Sequence, residues 1–185
     1  MSQEVDNPAS KVREDTFSIR TDARLRRANG FRMLGMYEDA EAELARVSPE
    51  DRLDDEVLVM KVTVRQDAAD WERMREPARI LRGRYPEAVE WWIADAYATR
   101  RCESIEAARE ILIEGDERHV DDPGIKYNLA CYACRLGDSG TAMRYLMTAI
   151  SLDSKYKEMA FADEDLTEVH EILRKTGLAP GNSEE

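Results

Sequence analysis

Apolar residues three or four apart run through most of this chain. Leu25, Ala28, Phe31 and Leu34 form one stripe, Gly35 interrupts it, and Tyr37, Ala40, Leu44 and Val47 form a second that ends at Ser48-Pro49. Spacing of this kind predicts amphipathic helices. Two of them, each of about 12–14 residues and joined at a glycine, predict a helical hairpin. The plan recurs with Val57, Met60 and Val64 followed by Trp71, Met74, Ala78 and Leu81, closing at Tyr85-Pro86. It recurs again with Trp91, Ala94 and Ala98 before Ile105, Ala108, Ile111 and Leu112, although the link Arg101 to Ser104 lacks a glycine. A last round places Ile125, Leu129, Tyr132 and Leu136 before Gly137-Asp138, then Ala142, Leu146, Ala149 and Ile150.

These rounds begin at Thr21, Asp55, Val89 and Pro123, each 34 residues after the one before. The eighth place reads Ala28, Val62, Ala96, Ala130; the twentieth reads Ala40, Met74, Ala108, Ala142; the twenty-fourth reads Leu44, Ala78, Leu112, Leu146. A fixed period of this length marks a stacked-repeat architecture, in which no hairpin buries its apolar face alone. Small residues at recurring places let paired helices approach closely. Pro77 is the anomaly, since an interior proline removes a helix hydrogen bond. The second helix of that hairpin is expected to be kinked, or to start late with Pro77 in its first turn.

The resulting division is a loose tail over 1–16 and hairpins over 17–156 (21–54, 55–88, 89–122, 123–156). A capping helix over 157–178 and a short tail over 179–185 follow. The cap rests on Met159, Leu166, Val169, Ile172 and Leu173, which outline one amphipathic helix starting near Asp163 and ending at Gly177. A nonrepeating helix there would cover the face that the last hairpin leaves open.

Composition narrows the class. Helix formers dominate, glycines number 9 and prolines 6, and the chain is expected to be all-α. A net charge of −12 argues against nucleic acid as the main partner, because phosphate neutralisation requires clustered Lys and Arg, and no nucleic-acid partner is expected. No apolar run approaches the ~20 residues that span a bilayer, so no membrane partner is expected. The polar start lacks an apolar signal core, and the 3 cysteines do not suggest a disulfide framework. The cytoplasm is the expected compartment.

The 34-residue period, the small residues at helix crossings and the Gly-Asp turn resemble the tetratricopeptide repeat family. The fourth round is the best match, with Tyr127-Asn128-Leu129-Ala130, Arg135-Leu136-Gly137-Asp138, Ala142, Ala149 and Leu152. The first matches through Ala28, Leu34-Gly35-Met36-Tyr37 and Ala40. The second and third depart from the pattern, with Val62 and Met74 in small-residue places and Gly115 at a packing place. Ala162-Asp163-Glu164-Asp165-Leu166 resembles, more weakly, the closing segment of many bacterial arrays. The resemblance implies a right-handed αα-superhelix whose first helices line a concave, partner-binding face.

Carried over place by place, that face holds Leu25, Val59, Ile93 and Tyr127, then Asn29, Thr63, Tyr97 and Cys131, then Arg32, Gln66, Arg100 and Cys134. Met33, Asp67, Arg101 and Arg135 line its rim. An apolar strip beside arginines suits a protein or peptide segment with apolar anchors and acidic flanks. The competing reading makes the apolar positions core, or covers them with the N-terminal tail. The carboxylate clamp of chaperone-binding members is missing, because only Asn29 matches it while Leu25, Met60, Glu90 and Ala94 occupy its other places.

Other chemistry is sparse. Cys131 and Cys134 share a helix face, as a thiolate or soft-metal pair would. Structural zinc wants four ligands, however, and only Cys102, His119 and His170 remain. Neither a catalytic constellation nor a phosphate-cradling loop is present, and no enzyme activity, cofactor or metal is expected. The favoured function is an adaptor or scaffold, as a monomer or homodimer. A dedicated chaperone like those of type III secretion is the alternative, and a redox or metal protein using Cys131 and Cys134 is a remote one.

Overall fold

A computed structural model describes the backbone of residues 8–175 and the side chains of 20–175. Among the described residues every regular element is a helix and none is a strand. Eight helices follow the repeat: α1 (Pro8–Met33), α2 (Tyr37–Ala45), α3 (Asp55–Asp67), α4 (Trp71–Arg84), α5 (Val89–Cys102), α6 (Ile105–Arg118), α7 (Pro123–Arg135) and α8 (Ser139–Leu152). After them come α9 (Lys155–Ala162), a 3-10 segment (Glu164–Val169) and α10 (His170–Lys175). α1 reaches back to Pro8, so 8–16 is helix where the pattern assigned a loose tail. Proline is tolerated in a first helical turn, and the polar stretch behind it needs no apolar stripe to continue one. Segments 1–7 and 176–185 lie outside the described residues, as does any covering of the binding face by the tail.

Why the helices break where they do is visible in the turns. Met36 N–H donates to Phe31 O (2.9 Å), Asp70 N–H to Arg65 O (2.8 Å) and Asp138 N–H to Ala133 O (2.9 Å). The donors share one repeat position and the acceptors another, and each bond closes a helix end whose carbonyls would otherwise lack partners. The residue before each donor is left-handed: Gly35 at φ 72°, Ala69 at 54° and Gly137 at 79°. Glycine adopts that conformation without a Cβ penalty. The third hairpin, which lacks the glycine, turns through Glu103 at φ −129°, and Ser104 caps α6 by accepting from Ala107 N–H.

The chain divides into two compact units, residues 1–77 and 78–185. In the first, Leu25 and Ala28 of α1, Ala40 and Leu44 of α2, and Val57 and Val64 of α3 form the core. α4 begins at Trp71 and carries Pro77 in its interior, so the helix is not shortened. Pro77 has no N–H for the carbonyl of Arg73, four residues earlier. The Arg65 guanidinium supplies the missing donor, Nη1 lying 2.7 Å from Arg73 O.

In the second unit α7 is the central helix, buried continuously from Ile125 to Cys134 apart from the half-buried Asn128. α5, α6 and α8 pack on it, and the C-terminal segment covers its remaining side. Lys126 is buried with it, its Nζ 2.6 Å from Asp116. Gly115 makes room for Trp92, since a Cβ there would stand 3.2 Å from the ring. That ring is pinned by a 2.8 Å hydrogen bond from Nε1 to Pro86 O and by Arg82 stacked over it. The packing place without a side chain thus serves a tryptophan, and does not signal a lost repeat.

Candidate protein-binding face

In the first unit the expected face is half consumed by the fold. Leu25 is sunk in the core at 7% exposure, which is the place the competing reading gives it. Arg32 extends to Asp67 (Nη1 to Oδ2, 2.6 Å) and donates from Nε to Asn29 Oδ1 at 3.0 Å, so its charge is answered within the unit. Along α3, Val59 and Gln66 are exposed and Thr63 is half-buried, its hydroxyl donating to Val59 O (2.9 Å). Exposed Met33 and Leu34 lie at the α1–α2 turn.

The second unit brings its expected residues together, but around a segment of the same chain. Asp163 and Asp165 reach the first-helix positions of α5 and α7. The Arg100 guanidinium donates to both Asp165 oxygens, at 2.5 and 2.7 Å, and Arg135 Nε lies 3.6 Å from Asp165. Tyr127 donates its hydroxyl to Asp163 Oδ2 (2.8 Å), and Cys131 Sγ lies 3.5 Å from the same oxygen. Leu166, Val169 and Leu173 follow the acidic run into full burial.

The expected single cap helix is accordingly broken. Asp163 is extended (φ −90°, ψ 117°), and its other oxygen accepts from Asp165 N–H, starting a 3-10 segment. Arg100 also lies over the Tyr132 ring, 5.3 Å from its centre. Tyr97 and Arg101 pair beside the site, Arg101 Nη2 donating to Tyr97 OH at 2.9 Å, while Ile93 is half-buried. Arg100, Arg101, Tyr127, Met159 and Glu164 border a shallow, open cleft next to the docked acids.

Electrostatics explain the arrangement. The Arg100 hydrogen bond holds the Asp165 carboxyl below its ordinary value, and burial opposes this less strongly. Burial pushes the Tyr127 hydroxyl well up, and the Asp163 carboxylate that accepts its hydrogen bond adds to this. Burial and the Asp163 carboxylate push the Cys131 thiol up, and burial also raises Cys134. The two cysteines are thus small buried side chains beneath the docked segment, held protonated, which is the opposite of what thiolate chemistry requires.

Cys131, Asp163 and Asp165 place one donor atom each within 4.8 Å of one another. The donor set does not fit a metal ion. Asp165 is already neutralised by Arg100, Asp163 accepts from Tyr127, and a dication there would face two guanidinium groups. The acidic residues were overlooked as site components. The available signal was their position, an Asp-x-Asp run just beyond the last repeat, in a chain whose expected face carries arginines.

No protein-family model matches the chain, and no curated protein matches it by sequence. Solved structures do resemble it. A MamA RS-1 double mutant superposes with a TM-score of 0.64 at 13% identity, covering 73% of this chain and 76% of its own. MamA AMB-1 gives 0.61 at 18% identity, over 87% and 90%. The tetratricopeptide protein TTC0263 of Thermus thermophilus gives 0.59 at 17% identity, over 85% of each chain. The fold is that of a tetratricopeptide-like helical repeat protein.

Proposed function

We propose that this chain is a nonenzymatic adaptor or scaffold whose first-helix residues receive a protein or peptide segment with apolar anchors and acidic flanks. The fold supports an interaction module in general, since repeats of helical hairpins offer extended faces to partners. The observation that carries the finer reading lies in the second unit. There, first-helix arginines and Tyr127 already grip an acidic segment followed by buried apolar residues. In the first unit Val59, Thr63 and Gln66 of α3 present the equivalent positions to solvent in whole or part. Among the described residues no helix is long and apolar enough to cross a membrane. We place the protein in the cytoplasm, as a monomer or homodimer, and without a cofactor.

The test is partner recovery from the native host with the wild type and with Val59→Glu/Gln66→Glu, two exposed changes that leave the core intact. Loss of the recovered partner by about tenfold or more is expected, at an unchanged thermal midpoint. Equal recovery removes the reading. Exposed Met33 and Leu34 support a second reading, a dedicated chaperone for an apolar client segment. It requires coexpression to raise the soluble yield of one client, whereas an adaptor recovers partners that are already folded.

A further inference from the structure

We infer that the C-terminal cap is exchangeable between copies. The Arg100–Tyr127–Arg135 face of one chain is a receptor for the Asp163–Leu173 segment of a second. This goes beyond the proposed function and does not depend on it, because every residue involved lies in the second unit.

The receptor and its ligand are separable in chemistry and in sequence. The receptor is a set of donors on α5 and α7: Arg100, Arg135 and Tyr127. Its ligand is two carboxylates spaced by one residue, then Leu166, Val169 and Leu173, all fully buried. Arginines gathered on one face of a chain with net charge −12 select for an acidic segment. Charge alone does not displace the cap, because three buried side chains anchor it. An intruding segment must match the acidic pair and also fill the three apolar places. A second copy of this chain carries that whole combination.

Exchange in trans re-forms every contact made in cis, so its net cost is association entropy plus the opening of the connection, the usual thermodynamics of a swapped element. The connection is suited to opening. It consists of Asp153-Ser154 and α9, in which Ala160 is the one fully buried residue and Met159 is exposed. α9 touches α7 through the Tyr127–Tyr156 ring pair, with centroids 4.9 Å apart.

A charge-swapped pair of full-length variants tests this. Arg100→Glu sets a carboxylate against the cap's own Asp165, and Asp165→Arg sets a guanidinium against Arg100 and Arg135. Each variant alone is expected to lose amide-exchange protection over 163–173. Combining both changes in one chain is expected to restore protection in a monomer. Mixing the two single variants is expected to yield a 1:1 heterodimer by light scattering, with exchange over 163–173 slowed at least ~10-fold in both chains. A mixture that stays monomeric while the combined variant recovers protection overturns the proposal. A combined variant that does not recover also overturns it, because the Arg100–Asp165 pair then does not seat the cap. If the single variants do not fold, two differently tagged wild-type copies are held together just below the first thermal transition. Dimers carrying both tags, with protection over 163–173 retained, support exchange. Absence of mixed dimers, or mixed dimers with that segment unprotected, overturns it.

Discussion

Arg65 donates from its guanidinium to the carbonyl of Arg73, 2.7 Å away, and that carbonyl is the one that Pro77 deprives of its helical partner. The same side chain makes a two-point contact with Glu41 of α2, at 2.8 and 3.2 Å. One arginine therefore links three helices and repairs a proline defect. The proline is permitted because the preceding helix supplies a donor that its own backbone cannot.

Arg65→Met is accordingly expected to lower stability by about 1–2 kcal/mol, the range for losing charge-assisted hydrogen bonds that are partly buried. Pro77→Ala returns an N–H to the Arg73 carbonyl. In that background the Arg65 loss is expected to shrink by about 1 kcal/mol. A urea-denaturation double-mutant cycle measures this coupling, and additive effects would sink the repair account.

Ala69 stands at the repeat position held by Gly35 and Gly137 and keeps their left-handed backbone, at φ 54°. A Cβ in that conformation costs roughly 1–2 kcal/mol, part of which glycine gives back as unfolded-state entropy. Ala69→Gly is expected to raise stability by about 0.5–1 kcal/mol, read as a higher urea midpoint at unchanged slope. A lower midpoint would show that the turn carries no strain.

Titration with a colorimetric disulfide at about pH 7.5 is expected to find one fast thiol, Cys102, which is exposed. Cys131 and Cys134 are buried, with both thiols raised by burial and Cys131 also by the Asp163 carboxylate. They are expected to react about 100-fold more slowly, becoming fast only on denaturation. Equal rates for all of the thiols would revive the redox reading.

Asp165 is held below its ordinary value by Arg100. A carboxylate depressed in the folded state contributes stability that is complete above its unfolded pKa, about 3.9, and is lost as pH falls through the lower folded value. Asp165→Asn is therefore expected to cost about 1–2 kcal/mol from neutral pH down to about pH 4.5. The difference from wild type should then narrow towards about pH 2.5. Thermal melts at several pH values check this, and a gap that persists at the acid end would sink the charge-pair account.

Much of the fold was legible because the repeat constrains each position locally. Ala28, Ala96, Ala108 and Ala142 are all fully buried, and the departures Val62 and Met74 are buried too, because a stacked hairpin needs an apolar seam whatever its volume. The binding face was less legible. Leu25 and Tyr127 occupy equivalent places and both belong to a core, yet Tyr127 alone meets a returning segment there, through its hydrogen bond to Asp163. Nothing local distinguishes them, because burial of a first-helix residue depends on which segment returns to cover it.

Spacing along the chain by itself determined the hairpins, their 34-residue register and the glycine-bearing turns, since helix periodicity and left-handed closure are short-range properties. Tertiary structure alone decided that Arg65 repairs Pro77, that Gly115 exists for Trp92, and that the arginines of α5 and α7 hold the chain's own Asp163 and Asp165. Arg100 and Asp165 are separated by 65 residues, and charges that distant in sequence find each other only after the helices between them have packed.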